Sequence, residues 1–582
     1  YTIFYSQLAI NPQTGKTAQT ANQFAFGMTI GFNPSSALIN LSQIPLFVYP
    51  YLGAKYGYTE TGTAIHNAAK LVGAALTPSQ KFELLDGTQV DYKKWYNVPT
   101  LENYYISEYV PQKNKHVFKL RDDIKFPNDE VKGFVERIMP MVQMMSDKGQ
   151  LNQSFIADEI NIDQKASKTK LGRFRDWAMG VSAWGFHNVE QYNRQVTSIG
   201  SYLLETDAMK KRLGVDKLTP EQELQAAQDA MYLTQETNGG AVIETGARWS
   251  QKDLGRVALM YKNYGIQMYT TMFKSGQKVL NNLLPGTDAE SRRLRNEGMK
   301  ELIGVHLSSL AIAGLYGMPI YGMAKLIAKL FLEDDDEEDL DSLVRRHIGE
   351  AYFKGPLSNL TGMDISSRAG LGVTDLLIQF NRYNRDPDLA DNLLFYLGGP
   401  AGSIANRAYR GIGDLADGEI ERGIEQLVPA AFANMYKSVV RIPRDDGYLT
   451  RRGDAIYDDV SVSEHVGQFL GFAPLEYTRT QDLNMVSKKI EKAVRDKRTK
   501  LLRKYYLFSR QGDWEERRKV LRDIKEFNRK HRGALITPDT IDKSMKRHMK
   551  TSIEMYNGVT IDKQVRQSIE QMRDEWNQGW QL

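Results

Sequence analysis

Apolar residues recur at steps of three and four through most of the 582 residues, the spacing that gathers them on one face of a helix. From Asp129 onward Val131, Phe134, Ile138, Val142 and Met145 form such a face. Helical character continues through Arg173, Phe174, Arg175, Trp177 and Trp184 into residues 192–204. Thr219-Pro220-Glu221 predicts a helix start, with Thr as N-cap, Pro in the first turn and an acid near the positive end of the helix dipole. After Gly239-Gly240, residues 254–283 place Val257, Tyr261, Tyr264, Met268 and Met272 on a further amphipathic helix. No strand-like alternation of comparable length appears. The expected fold class is therefore all-α, an extended multi-helix assembly with Gly/Pro-rich connections and little or no sheet.

Two apolar stretches break this rhythm. Residues 17–54 hold no charge but contain Pro34, Pro45 and Pro50, which exclude one long helix. Asn33-Pro34-Ser35 reads as a turn and helix start, followed by Ala37, Leu38, Leu41 and Ile44 at helical spacing, with residues 45–50 as a rigid apolar exit. Short helices packed in a core are expected there; a membrane-seeking segment is the alternative. Residues 302–324 have His306 as their one ionisable residue, and a helix of that length spans a hydrocarbon layer of ~30 Å at 1.5 Å per residue. The membrane-insertion candidates are Leu302, Ser309, Ala313, Gly317, Pro319 and Leu326. Ser309, Ala313 and Gly317 recur every four residues as a ridge of small side chains, while Gly314 and Pro319 are positions to kink. Lys325 and Lys329 flank the stretch and reach for the interface. A central core helix is the rival reading of residues 302–324. The seven acids of 333–339 follow, expected as a solvated linker.

The remaining chain sorts by punctuation and charge. Residues 56–125 are mixed and aromatic, with Lys93, Lys94, Trp95, Tyr96, Tyr104 and Tyr105, and carry no evident chemistry. Gly355-Pro356, Gly370 and Gly372, Gly398-Gly399-Pro400, Gly411 to Gly413 and Gly471 to Pro474 predict short helices joined by tight loops. Residues 487–533 then carry eighteen Lys or Arg against seven Asp or Glu, a balance of +11. A break at Gly512-Asp513 separates two helices there, with Ile490, Val494 and Leu501 on the first and Val520, Ile524 and Phe527 on the second, and Thr537-Pro538-Asp539 opens a third. The DNA or anionic-lipid candidates are Lys488, Lys489, Lys492, Arg495, Lys497, Arg498, Arg503, Lys504, Arg517 and Arg518. Five regions follow: an apolar, proline-broken region 1–125, an amphipathic body 126–300, the membrane candidate with acidic linker 301–345, short helices 346–485 and basic helices 486–582.

Composition narrows the function classes. Lys and Arg number 76 against 71 Asp and Glu, a net charge of +5, so a basic function must be local. A mean hydropathy of −0.47 excludes a polytopic membrane protein. The absence of cysteine removes disulfides, thiol catalysis and Cys-ligated zinc. A start at Tyr1 without a charged leader implies a piece of a longer polypeptide with no signal peptide. Gly15-Lys16-Thr17 lacks the leading glycine of a phosphate loop, since Ile10 stands there. The eight histidines include no pair four apart, and His187 with Glu190 lacks a third metal ligand. Ser275 has no glycine two residues before it, so the nucleophile turn of serine hydrolases is missing. Glu290-Ser291 runs into Arg292 and Arg293 and reads as an ion-paired helix surface instead of a transglycosylase acid. The acidic run lacks the glycine of a calcium loop. No catalytic residue, metal or cofactor is expected in this segment.

Several strings together carry a resemblance. Asn33-Pro34-Ser35-Ser36-Ala37-Leu38 through Pro45, Gly362-Met363-Asp364-Ile365-Ser366-Ser367-Arg368, Gly399-Pro400-Ala401-Gly402-Ser403, and Pro429 with Asn434 stand in order along the chain. Gly447-Tyr448, Arg452-Gly453-Asp454, Gly471-Phe472-Ala473-Pro474, Gly512-Asp513 and Phe527-Asn528 continue the series. Over about residues 20–550 the chain resembles the C-terminal part of giant internal virion proteins of short-tailed bacteriophages. The resemblance implies a protein held in the capsid above the portal, which leaves ahead of the genome and builds a conduit across the host periplasm and inner membrane. It implies a cyclic homo-oligomer as the working form. Other internal ejection proteins, the portal, phage double-stranded DNA and the host inner membrane are the implied partners. A lytic transglycosylase sits elsewhere in such chains, and its motif is absent here. A cell-wall hydrolase segment and a soluble capsid core scaffold are the rival readings.

Overall fold

The computed structural model describes residues 16–76, 82–83, 89–90, 104–111, 115–126, 129–148, 170–239, 262–282, 288–322, 324, 340–370, 389–450 and 453–556. Of these, 82% are helical, and the strands form only three two-stranded antiparallel hairpins; the protein is all-α. It divides into two compact units, one of residues 1–327 with 345–480 and one of residues 328–344 with 481–582.

The first unit opens with α1 (Lys16–Thr29), α2 (Pro34–Leu41), α3 (Tyr49–Tyr56) and α4 (Tyr58–Leu76). Asn33 caps α2, its side chain accepting from Ser35 N at 3.2 Å, with Pro34 in the first turn as the sequence predicts. The buried face differs from the expected one. Leu38 and Leu41 are exposed, and Ile39 packs with Leu46 instead. Pro45 does not end the helical path, because a π-helical turn at Ile44–Val48 leads directly into α3 and buries Leu46, Phe47 and Val48 together.

The largest core joins α3 and α4 to a β-hairpin and three long helices. After the pair β1 (Phe82–Glu83) and β2 (Gln89–Val90), strand β3 (Tyr105–Val110) pairs with β4 (Lys115–Leu120) in the register Tyr105 to Leu120. Tyr105 and Phe118 point into the core and Ile106 points out, an alternation over six residues that was too short to read in the sequence. Helix α5 (Asp129–Asp147) buries Ile138, Val142 and Met145 as predicted, with Val131 and Phe134 at the edge of the core. Helix α6 (Lys170–Leu213) and α7 (Pro220–Asn238) complete it; Thr219 and Gln222 close a reciprocal capping box at the predicted start of α7.

Helices α8 (Asn263–Asn281) and α9 (Ala289–Ala313) form an antiparallel hairpin. Met268 and Met272 are buried as the pattern predicts, whereas residues 254–261 lie outside the described residues. The expected single helix over 302–324 does not form. Gly314, at φ +68°, ends α9, a 3-10 turn covers Leu315–Gly317, and Met318 is extended. The cause is a backbone crossing, since a methyl on Gly314 would overlap Gly355 N, Phe353 O and Lys354 C. Among the described residues no helix is long and apolar enough to cross a membrane.

Short helices then follow: α10 (Leu340–Ile348), α11 (Glu350–Phe353), α12 (Pro356–Thr361) and α13 (Ser366–Ala369). The expected loops at Gly398-Gly399-Pro400 and Gly411 to Gly413 are absent, because α14 (Leu389–Ala416) runs through both. Gly411 serves packing: a Cβ there would stand 3.0 Å from Gly423 O of α15 (Ile420–Leu427). Next come α16 (Ala430–Tyr436), a π turn at Lys437–Arg441 and α17 (Ile442–Asp445). The hairpin of β5 (Tyr448–Leu449) with β6 (Ala455–Tyr457) and α18 (Val462–Leu470) close this part.

At the centre of these short elements Lys354 Nζ donates to Asp364 Oδ2 at 3.1 Å, with both side chains almost wholly buried. The Ser366 hydroxyl and the Ser367 N–H donate to Asp364 Oδ1 at 2.8 and 3.1 Å, and the Lys354 ammonium lies 4.8 Å from the Tyr316 ring centre. Burial alone would raise the Asp364 carboxyl; Lys354 and the serine donors overcome it and hold the group below its ordinary value.

Two outcomes follow for urea unfolding. Gly314→Ala combines a left-handed φ with backbone overlap and is expected to cost about 2–4 kcal/mol, whereas Leu360→Ala, on an exposed side chain of α12, should cost under about 0.5. Lys354→Met strands a buried carboxylate and should cost ~3–5 kcal/mol, with Lys354→Met/Asp364→Leu recovering most of it. Because the native Asp364 titrates below its unfolded value, its contribution is complete above ~pH 5 and lost as pH falls through the lowered native value. The unfolding free energy of Asp364→Asn measured against pH should therefore converge on that of the native chain toward low pH.

Candidate nucleic-acid interface

The second unit is built on three helices, α19 (Leu475–Gln511, within the unit from Gln481), α20 (Trp514–Lys530) and α21 (Pro538–Tyr556). The break predicted at Gly512-Asp513 is present. Gly512 takes φ +72° and Asp513 caps α20 by accepting from Glu516 N at 3.0 Å. Leu501, Val520, Ile524, Phe527 and Ile536 are buried against one another, with Val494, Tyr505 and Phe508 at the edge. Asn528 fixes the start of the third segment twice, donating to Ile536 O at 2.9 Å and accepting from Ile536 N at 2.7 Å.

That core decides which way the cations face. Lys488, Lys492, Arg495, Arg503 and Arg510 recur at steps of four, three, eight and seven, so they share one side of α19 with Tyr506, which is buried, stacks on His548 and accepts from Arg510 Nη1 at 3.3 Å, while Val494, Leu501, Tyr505 and Phe508 lie on another side. The cations extend over roughly 33 Å of helix at 1.5 Å per residue. Lys488, Arg495, Lys500, Arg503 and Lys504 are exposed and make no ion pair with a described carboxylate. On α20 and α21, by contrast, Lys530, Lys543 and Lys546 each pair with an acid one turn earlier, Glu526, Asp539 and Asp542, and Lys519 pairs with Glu516.

Not every basic candidate belongs to the stripe. Arg498 turns toward the core, where its Nε is enclosed without an acceptor, and Lys497 is half-buried. The Arg517 guanidinium stacks 3.8 Å from the Trp514 ring centre, while Arg518 is exposed. The Lys489 side chain lies outside the described residues.

The membrane-insertion candidates have a different fate. Ser309 and Ala313 are fully buried within the first unit, Ala313 packing with Leu46 and Ala369, and Leu302 lies against Phe47 and Val305. Gly317 falls beyond the end of α9, where Gly370 Cα would stand 3.2 Å from its Cβ. The four-residue spacing thus serves close packing within the first unit. Pro319 is buried; Leu326, the flanking lysines and the acids of 333–339 lie outside the described residues.

One polar constellation had not been foreseen. Glu236 of α7 accepts from Lys274 Nζ at 2.7 Å, from Tyr51 OH at 2.7 Å and from Tyr232 OH at 2.8 Å. One turn along α8, Lys278 Nζ donates to Glu301 at 2.8 Å and to Glu297 at 2.9 Å, and the buried Ser275 hydroxyl donates to Glu301. Burial raises the Glu301 carboxyl despite these partners, whereas at Glu236 the donors outweigh burial and lower it. The pattern that could have revealed this seam is Lys274 with Lys278 facing Glu297 with Glu301, each pair four apart on consecutive helices. Glu290 pairs with Arg293 at 2.6 Å on the surface of α9, as its sequence context predicts. Among the described residues no group of three or more His, Asp or Glu is placed to hold a metal ion.

No family model, curated protein or solved structure matches the chain.

The stripe depends on the small core behind it. Phe527→Ala is expected to cost ~3–5 kcal/mol and to speed amide hydrogen exchange across residues 494–541, while leaving exchange in α6 and α7 unchanged.

Proposed function

We propose that this chain is a structural ejection protein of a short-tailed bacteriophage. It is stored in the capsid interior and leaves ahead of the genome. With other ejection proteins and copies of itself it forms a cyclic channel that carries double-stranded DNA through the host periplasm and inner membrane. The observation that carries this reading is the cationic stripe of α19, roughly 33 Å of helix face on which Lys488, Arg495 and Arg503 make no ion pair with a described carboxylate. Such a face neutralises phosphates and releases counterions without reading bases, which is what a conduit for any genome sequence requires. The work is positioning and electrostatics, and no bond is broken by this segment.

The strings behind the resemblance support the reading in a second way. Asn33 to Ser35, Gly362 to Arg368 and Gly471 to Pro474 occupy caps, turns and backbone crossings, the places that fix a packing arrangement. The packing of Leu302, Ser309 and Ala313 inside the first unit favours a second reading, a capsid core scaffold that never crosses the bilayer.

Fluorescence anisotropy of a labelled duplex with the full chain tests the channel reading. Five phosphate contacts give a slope of log affinity against log salt of about −4.5, or a loss of roughly 500-fold between about 50 and 200 mM salt. Arg495→Glu/Arg503→Glu should reduce the magnitude of that slope by about 2. Binding that ignores salt, or that this variant leaves untouched, overturns the role of the stripe.

A further inference from the structure

The ion pairs within α20 leave most of its cations open. The helix holds seven Lys or Arg and four acids. Glu516 pairs with Lys519 and Glu526 with Lys530, and the Arg517 guanidinium stacks on Trp514. Arg518, Arg522, Lys525 and Arg529 are exposed and make no ion pair with a described carboxylate. Set against Glu515 and Asp523, the five cations outside these pairs keep a balance of +3.

Arg518, Arg522, Lys525 and Arg529 recur at steps of four, three and four, one row of roughly 16 Å along the helix. Arg518 and Arg522 each stand two residues from the buried Val520, and Lys525 and Arg529 two residues from the buried Phe527. Two residues turn a helix by about 200°, so the row points away from the core. On α19, Arg503 stands two residues from Leu501 and from Tyr505 in the same way. The two helices are joined at Gly512-Asp513 and share that core. Their cations therefore face outward on opposite sides of one helical hairpin, about two helix diameters or ~20–24 Å apart.

We infer that the α20 row is a second site for the phosphate backbone of a duplex, and that the hairpin of α19 and α20 bridges two segments of double-stranded DNA. A straight duplex laid on one side of the hairpin does not reach the other. Three of the four cations in the row are Arg, whose planar fork meets phosphate oxygens in pairs. A lipid surface fits less well. The apolar stripe of α20, Val520, Ile524 and Phe527, is turned into the core, and Trp514 and Leu521 are its only exposed apolar residues, too few to seat a helix in a bilayer. The inference rests on the channel reading, because the first duplex segment lies on α19.

Energy transfer between two separately labelled duplexes, mixed with the full chain at about 50 mM salt, tests it. The native chain is expected to bring the labels together and to bind two duplexes at saturation. Arg522→Gln/Lys525→Gln/Arg529→Gln should lower the transfer at least about tenfold at unchanged helicity and Tm, because all three side chains are exposed, and should still bind one duplex through α19. Lys543→Gln, which removes a paired cation of α21, should transfer like the native chain. No transfer by the native chain overturns the inference; salt-dependent binding of a single duplex then leaves the channel reading standing, whereas no duplex binding at all removes both. Transfer that survives the triple variant also overturns the inference and assigns the bridge to association between copies. Flotation with phosphatidylglycerol vesicles that the triple variant abolishes, with no transfer by the native chain, assigns the row to lipid and overturns it as well.

Discussion

The first unit turns on a buried charge. Lys354 and Asp364 lose their water together, a cost that only close geometry and further donors offset, and Ser366 and the Ser367 N–H supply those donors. The pair is fixed because the backbones around it cannot separate. Gly314 crosses Gly355 on one side, Asp364 N donates to Ala473 O at 2.9 Å, and Leu475 N donates to Gly362 O at 2.8 Å. Arg368 reaches from the same loop to the Ser35 hydroxyl at 2.8 Å, and Ser35 donates to Asn33. Gly471 has to be glycine here, since its φ is +102° and a methyl would overlap Asn33 Oδ1.

Segments more than 300 residues apart in sequence therefore meet at one polar junction. Asn33-Pro34-Ser35, Gly362 to Arg368 and Gly471 to Pro474 are the parts of that junction. Residues so placed specify a packing arrangement.

Local signals were legible in the sequence. The Thr219 cap, the buried face of α5, the stop at Gly512 and the core of Val520, Ile524 and Phe527 all depend on neighbours within a few turns. The basic stripe was legible as a composition, but its membership was not, because Arg498 and Lys497 differ from Arg495 only in which side of α19 faces the core. Residues 302–324 stayed open between a spanning helix and a core helix for a physical reason. Small residues every four positions let any two backbones approach, and the sequence does not say whether the partner is a helix in lipid or, as here, the chain's own residues 353–355 and 369–370. The same holds for Gly411, which reads as loop punctuation and meets Gly423 at a helix crossing.

Charge is handled in opposite ways in the two units. In the first, the acids of α7 and α9 are drawn inward and answered by lysines one turn apart on α8, so that ionic contacts are spent on holding helices together. In the second, α20 and α21 neutralise much of their charge by pairs within a helix, while Lys488, Arg495 and Arg503 on the long face of α19 make no ion pair with a described carboxylate. Exposed pairs one turn apart contribute only a few tenths of a kcal/mol each, so stability does not require that distribution. A row of unanswered cations weakens its own helix by mutual repulsion, and the small apolar core of Leu501, Val520, Ile524 and Phe527 is what holds that row straight. A polyanion laid along such a helix would relieve that repulsion and so stabilise it; salt screens the attraction and relieves the repulsion by itself, so the gain would shrink from both sides as salt rises.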